Sequence, residues 1–206
     1  MLLAQILVMI SILFEPFPVS SSGNAALVEL LMARFFPGGS SFPIPSCIDY
    51  MLHGPIMIVV GIFFYRRWSF LLYQPYRFRY IIAQIFWLWV VADSITVFFY
   101  ILFLHLGKSF CPLWLGFIIT TLLLFSLKYA SYQKNIRLRG AHALVLGIAQ
   151  GCALLPGISR FGATFVVARW LGFSDKNSFE MSFLIEFPIS FAASVLGTYN
   201  FIYKNQ

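Results

Sequence analysis

Apolar residues run along this chain in blocks, and the block lengths fall into two classes. The long blocks cover 47–65, 80–106, 113–129 and 179–203. Each is close to or above the ~20 residues that an α-helix needs to cross a ~30 Å hydrocarbon core. The short blocks cover 2–14, 25–36, 141–155 and 163–171, and none of them crosses alone. They come in two pairs, each flanking a break rich in Pro, Ser and Gly at 15–23 and 156–162. Interrupted backbone at membrane depth must be buried in protein or line a wet cavity. The pattern predicts an all-α fold: a polytopic transmembrane helix bundle with two broken or re-entrant helix pairs. It forms one integral membrane domain over 1–206, whose halves, 1–106 and 107–206, form an inverted repeat. The block 2–14 has the length of a signal-peptide core. No basic residue precedes it, however, no small-x-small site follows cleanly, and the next block is again apolar.

Composition narrows the class. Of 206 residues, 60% are hydrophobic and 10% charged, against roughly 45–50% and about 25% in ordinary soluble domains. Mean hydropathy is +0.85. So few charges cannot clothe a soluble enzyme, and long unbroken apolar runs exclude a β-barrel. The net charge of +7 sits largely in two clusters, Arg66, Arg67, Arg77 and Arg79, then Lys128, Lys134, Arg137 and Arg139. Each cluster reads as a short connection between apolar blocks. Two crossings separate them, so both lie on one side, as cytoplasmic loops do. This distribution argues against a nucleic-acid partner. Cys47, Cys111 and Cys152 have no metal spacing and read as small apolar fillers.

The two breaks concentrate the polar chemistry. Pro18, Ser21 and Gly23 in the first echo Pro156, Ser159 and Gly162 in the second. Paired interruptions in two halves point to a binding site. In the second break Arg160 carries a charge that costs at least ~2.5–3.5 kcal/mol at mid-membrane. Gly157 and Gly162 allow close backbone approach, Ser159 and Thr164 add hydroxyls, and a helix N-terminus follows. Together these make a cradle for phosphate. The alternative partner for Arg160 is an intramembrane carboxylate, Glu180 or Glu186. The first break offers Glu15, Ser20, Ser21, Ser22, Gly23 and Asn24. One hydroxyl serves as a helix cap. Glu15 is a candidate acid/base or metal group and Ser21 a candidate nucleophile. Phosphate-ester or diphosphate chemistry at a membrane is the class these residues suggest. Elsewhere, Asp93 is expected to partner an Arg, and Arg169 to pair with Asp175. Trp68, Trp114 and Tyr65 are expected in the interfacial belt, and His53, His105 and His142 in helix packing or at interfaces.

The same residues carry a resemblance. Glu15-Pro16-Phe17-Pro18-Val19-Ser20-Ser21-Ser22-Gly23 is similar to the motif E-x-x-P-x-S-S-[ST]-G-H. The segment from Pro156 to Thr164 is similar to P-G-x-S-R-S-G-A-T, and the segment from Glu180 to Pro188 to E-F-S-F-L-L-A-x-P. These motifs belong to the undecaprenyl-diphosphate phosphatases of the bacitracin-resistance type. The resemblance implies a hydrolase of the bacterial inner membrane, multi-pass, in cell-wall lipid recycling. It would remove the terminal phosphate of a polyprenyl diphosphate, with a divalent metal, Mg or Ca. A homodimer is a candidate assembly that the sequence itself does not decide. The resemblance assigns Arg160 to the diphosphate, Ser21 to nucleophilic attack, and Glu15 to the metal or proton transfer. Ser159 and Thr164 would support the phosphate by the same resemblance, and the breaks themselves offer Ser20, Ser22, Gly23, Asn24, Gly157 and Gly162 as further substrate-binding candidates. The chain departs from the motifs at Ser11, where the family has Glu, at Asn24, where it has His, and at Phe161, where it has Ser. Its last matching segment lies close to residue 206, where the resemblance would lead one to expect further membrane helices. These departures frame the alternative, a non-catalytic relative that binds or translocates a polyprenyl phosphate lipid.

Overall fold

Among the described residues (9, 12–13, 17–35, 46–106, 111–132 and 138–204) the computed structural model has seven α-helices and no strand. They are α1 (Ser21–Phe35), α2 (Ser46–Tyr73), α3 (Pro75–Leu106), α4 (Leu113–Ser126), α5 (Gly140–Cys152), α6 (Arg160–Trp170) and α7 (Asp175–Lys204). A 3-10 turn, Leu127–Tyr129, extends α4. Helices α2, α3 and α7 are long and apolar enough to cross a membrane. Their outward faces are large and apolar, with Ile62, Phe63, Phe86 and Phe98 exposed. A surface of this kind requires lipid as its solvent.

The expected re-entrant pair is present in the second half. Helices α5 and α6, of 13 and 11 residues, are about 20 and 16 Å long. Helix α5 enters beside α3, with Ala143 and Leu146 in one buried cluster with Leu88 and Ala92. Helix α6 returns, and Ala168 and Phe173 rejoin that same cluster. His142 at the start of α5 meets the Phe173 ring edge-on at 5.4 Å. Both arms therefore end on one side, with the break at depth. Helix α7 lies antiparallel to α2: Glu180 pairs with Arg67 near one end, and Gly54 faces Ser194 near the other. Pro188 interrupts α7 and leaves the Leu184 carbonyl without its helical donor. The Trp89 indole N–H fills that position.

Several boundaries differ from those predicted. Arg66 and Arg67 lie inside α2, and Arg77 and Arg79 inside α3, with only Gln74 bending the chain between them. Arginine stems favour helix, and Pro75 starts α3 at its first position, where a missing N–H costs nothing. Lys134 and Arg137 of the second cluster lie outside the described residues, as does most of the block 2–14. Helix α1 starts at Ser21 and α6 at Arg160, earlier than predicted, because each is capped by the preceding serine. Trp114 and Tyr65 face outward as expected, whereas Trp68 is half-buried, stacked on Phe64 and edge-on to Phe187.

Candidate functional site

The second break is built by one turn and one cap. After α5 ends, Gly157 turns the chain with φ +85°, a conformation that a side chain rarely tolerates. Ser159 then caps α6, its Oγ accepting the Gly162 N–H at 3.0 Å. Thr120 on α4 clamps the segment between. Its hydroxyl donates to the Gly157 carbonyl at 3.1 Å and accepts the Ser159 N–H at 3.0 Å. Gly116, one turn earlier on α4, lies so close that a Cβ there would stand 2.0 Å from the Pro156 carbonyl oxygen.

The first break repeats this cap. The Ser20 Oγ accepts the Gly23 N–H at 3.1 Å, and the Asn24 side-chain amide donates to the Ser20 carbonyl at 2.9 Å. The serine equivalent to Ser159 is therefore Ser20, not Ser21 as the sequence echo suggested. Ser21 and Arg160 each become the first residue of their helices. The breaks are in contact. A Cβ on Gly23 would lie 3.0 Å from the Gly157 Cα, and one on Gly162 would lie 3.4 Å from the Pro18 carbonyl. Two helix N-termini thus converge, each with unpaired backbone N–H groups and the positive end of its dipole.

Arg160 lies at this convergence. Its Nη1 contacts Glu186 at 3.3 Å and the Ser190 hydroxyl at 3.5 Å, both on α7. Of the two expected carboxylates, Glu186 is the partner, while Glu180 pairs with Arg67 at 2.5 Å. Its Nε is buried with no hydrogen-bond partner among the described residues. Glu186 lies eleven residues into α7, about 16 Å along the helix and so near the middle of a ~30 Å core. Asp93, the expected partner of an Arg, accepts instead from Gln150 at 3.3 Å, within electrostatic range of Arg160. Arg169 pairs with Asp175 at 2.7 Å, as expected.

Thus Ser20, Gly23, Gly157, Ser159, Arg160 and Gly162 come together, with Ser21 and Asn24 in the adjoining turn. Thr164 follows one turn into α6. Its hydroxyl is buried and donates to the Arg160 and Phe161 carbonyls of its own helix, so it braces α6. Glu15 and the side chain of Ser22 lie outside the described residues. Among the described residues no three of His, Cys, Asp and Glu gather as metal ligands, and Glu186 is engaged by Arg160. Phe161, in the place of the motif's serine, is buried among Phe64, Phe179 and Phe183, where it joins α6 to α2 and α7. Sequence reasoning missed Thr120, Ser190 and Gln150. The first had a faint signal, a hydroxyl one turn after a glycine in an otherwise apolar helix.

A family profile described as "Bacitracin resistance protein BacA" matches residues 4–206. A protein of Borrelia hermsii named undecaprenyl-diphosphatase is 32% identical over 88% of this chain and 70% of its own length. One of Elusimicrobium minutum with the same name is 30% identical over 88% and 70%. A protein of Bacillus thuringiensis named undecaprenyl-diphosphatase 2 is 26% identical over 89% and 70%.

Proposed function

The chain belongs to the family described as bacitracin resistance protein BacA, and from that premise we propose that it hydrolyses undecaprenyl diphosphate. Water is consumed, the terminal phosphate is released, and the monophosphate carrier lipid stays in the membrane. The observation that carries this reading is the buried Nε–H of Arg160, without a partner among the described residues, where the two capped helices converge. A buried donor without an acceptor is costly unless a ligand supplies one, and a phosphate oxygen does. Arg160 can then hold the terminal phosphate with one edge of its guanidinium while Glu186 holds the other. The converging helix N-termini neutralise the charge that spreads over the phosphoryl oxygens in the transition state.

In this reading Ser21, at the first position of α1, attacks the terminal phosphorus. Its oxygen forms the new P–O bond, the bond to the bridging oxygen breaks, and the carrier monophosphate leaves. Glu15 takes the serine proton and passes it to the departing monophosphate; as a carboxylate again it deprotonates the water that attacks the phosphoserine, whose Oγ–P bond breaks to release phosphate and restore Ser21. Ser20 and Ser159 fix the helix starts, and Asn24 locks the first turn. The basic ends of α2 and α3 face the cytoplasm of a bacterial inner membrane. The test is phosphate release from undecaprenyl diphosphate by purified protein, with and without magnesium or calcium. Wild type should release phosphate and Arg160→Ala should lower the rate at least a hundredfold. Equal rates for the two would overturn the reading. Lipid binding lost in Arg160→Ala, without turnover in wild type, would favour the binding protein instead.

A further inference from the structure

At the basic end of the bundle, away from the breaks, α2, α3 and α7, with Leu138 and Phe173, line a half-open groove of about 470 Å³. A second, of about 300 Å³, lies beside it against the start of α5. Both are lined by Gln84, Leu88 and Leu138, so they form one continuous recess along α3. The combined space is within the range of ligand sites. Glu180 lines the first cavity six residues before Glu186 on α7, which puts the recess about 9 Å along that helix from Arg160. Its walls are mostly apolar, and its rim is arginine.

Arg67 lines the first cavity and Arg139 the second. Arg77 stands over the Phe78 ring, which packs on Phe70 of the first cavity. Arg79 stacks on Tyr80 of the second and bonds its hydroxyl. Glu180, the acid among the lining residues, is held by one nitrogen of Arg67. Two arginines therefore line an apolar recess beside one acid, and Arg77 and Arg79 stack on rings that border it.

We propose that this recess is a binding site for an anionic diacyl phospholipid. The phosphate would lie against Arg67 and Arg139, and an acyl chain would lie along Leu88 and Leu138. Charge complementarity selects the occupant. A zwitterionic lipid brings its own cation to a rim where arginines already outnumber the one acid, whereas an anionic one does not. The proposal is independent of the chemistry assigned to the breaks.

The test uses tryptophan emission, since Trp68 lines the first cavity and Trp87 the second. The full chain is reconstituted in phosphatidylcholine vesicles containing an equal fraction of brominated phosphatidylglycerol or brominated phosphatidylcholine. Brominated phosphatidylglycerol should quench at a lower mole fraction. Arg139→Gln should weaken that preference about fivefold, the usual effect of one basic residue at an anionic surface. Gln84→Phe, which fills the recess without changing charge, should abolish it while phosphate release stays within about twofold. Ala83→Phe, at an exposed position lining the second cavity, does the same if Gln84→Phe does not fold. Lys128→Gln, which removes a charge that lines neither cavity, should leave the preference intact. Equal quenching by the two lipids, or a preference that survives both filling variants, overturns the site. Equal loss in Lys128→Gln would reduce it to bulk surface charge and overturn it too. Displacement of the brominated lipid by undecaprenyl monophosphate at equal mole fraction would assign the recess to the carrier lipid and overturn the phospholipid.

Discussion

The Trp89 indole N–H on α3 donates to the Leu184 carbonyl on α7 at 2.7 Å. That carbonyl is the one that Pro188, four residues on, leaves without an amide donor. A kink that would expose a polar atom in lipid is thereby closed by a neighbouring helix. It lies just before Glu186, so it also sets the direction in which Arg160's partner projects.

Trp89→Phe should therefore destabilise the fold by about 1–3 kcal/mol, the cost of an orphaned buried acceptor. The measurement is thermal unfolding in detergent by circular dichroism. Pro188→Ala restores the missing N–H, so Trp89→Phe with Pro188→Ala should lose clearly less than the sum of the two single variants. Strict additivity would show that the indole bond does not serve the kink.

Gly157→Ala should abolish phosphate release. At φ +85° the added methyl is strained, and it would stand 2.5 Å from the Leu113 carbonyl oxygen. Strain of about 1–3 kcal/mol would be relieved only by moving the turn that Ser159 caps. Activity within a factor of two of wild type would show that the turn tolerates displacement.

Thr120 makes two bonds to the break through one hydroxyl. Thr120→Val keeps the shape and loses both, leaving a carbonyl and an amide unpaired, so the rate of phosphate release should fall at least tenfold. Thr120→Ser should recover most of it. If Val and Ser variants are equally active, the clamp has no part in positioning Arg160.

Glu186 competes with any anion for Arg160. Glu186→Gln removes that competition, so undecaprenyl diphosphate should bind several-fold more tightly, while turnover falls because the guanidinium loses its anchor. Unchanged binding, measured by equilibrium retention of labelled lipid, would place Glu186 outside the electrostatics of the site.

Much of this architecture can be read from block lengths, because the bilayer imposes them: the long helices follow from blocks of spanning length, and the re-entrant pair and the depth of Arg160 from blocks too short to cross. Arg169 and Asp175 could be paired because both lie at the ends of neighbouring elements joined by one turn. Choosing between Glu180 and Glu186 was beyond reach. The two are six residues apart on one helix, and only the register of α7 against α2 gives the first to Arg67 and the second to Arg160. Thr120 was hidden for a different reason. Most membrane threonines bond their own helix, as Thr121 does to Phe117, and nothing local distinguishes the one that reaches across. The break registers slipped by a residue because three consecutive serines can each cap a helix, and spacing cannot say which does.

The hairpin of α5 and α6 begins and ends on the same side, and neither arm can halt in a bilayer by itself. It therefore enters the membrane as a pair, folded against α3 and α7, and not as successive spans. Glu186 and Ser190 reach Arg160 only from α7, which follows the hairpin in the chain. The partnered state of Arg160 therefore waits for α7. A chain stalled before α7 would hold every break motif but have no partnered Arg160, and such intermediates should be the ones that quality-control proteases remove.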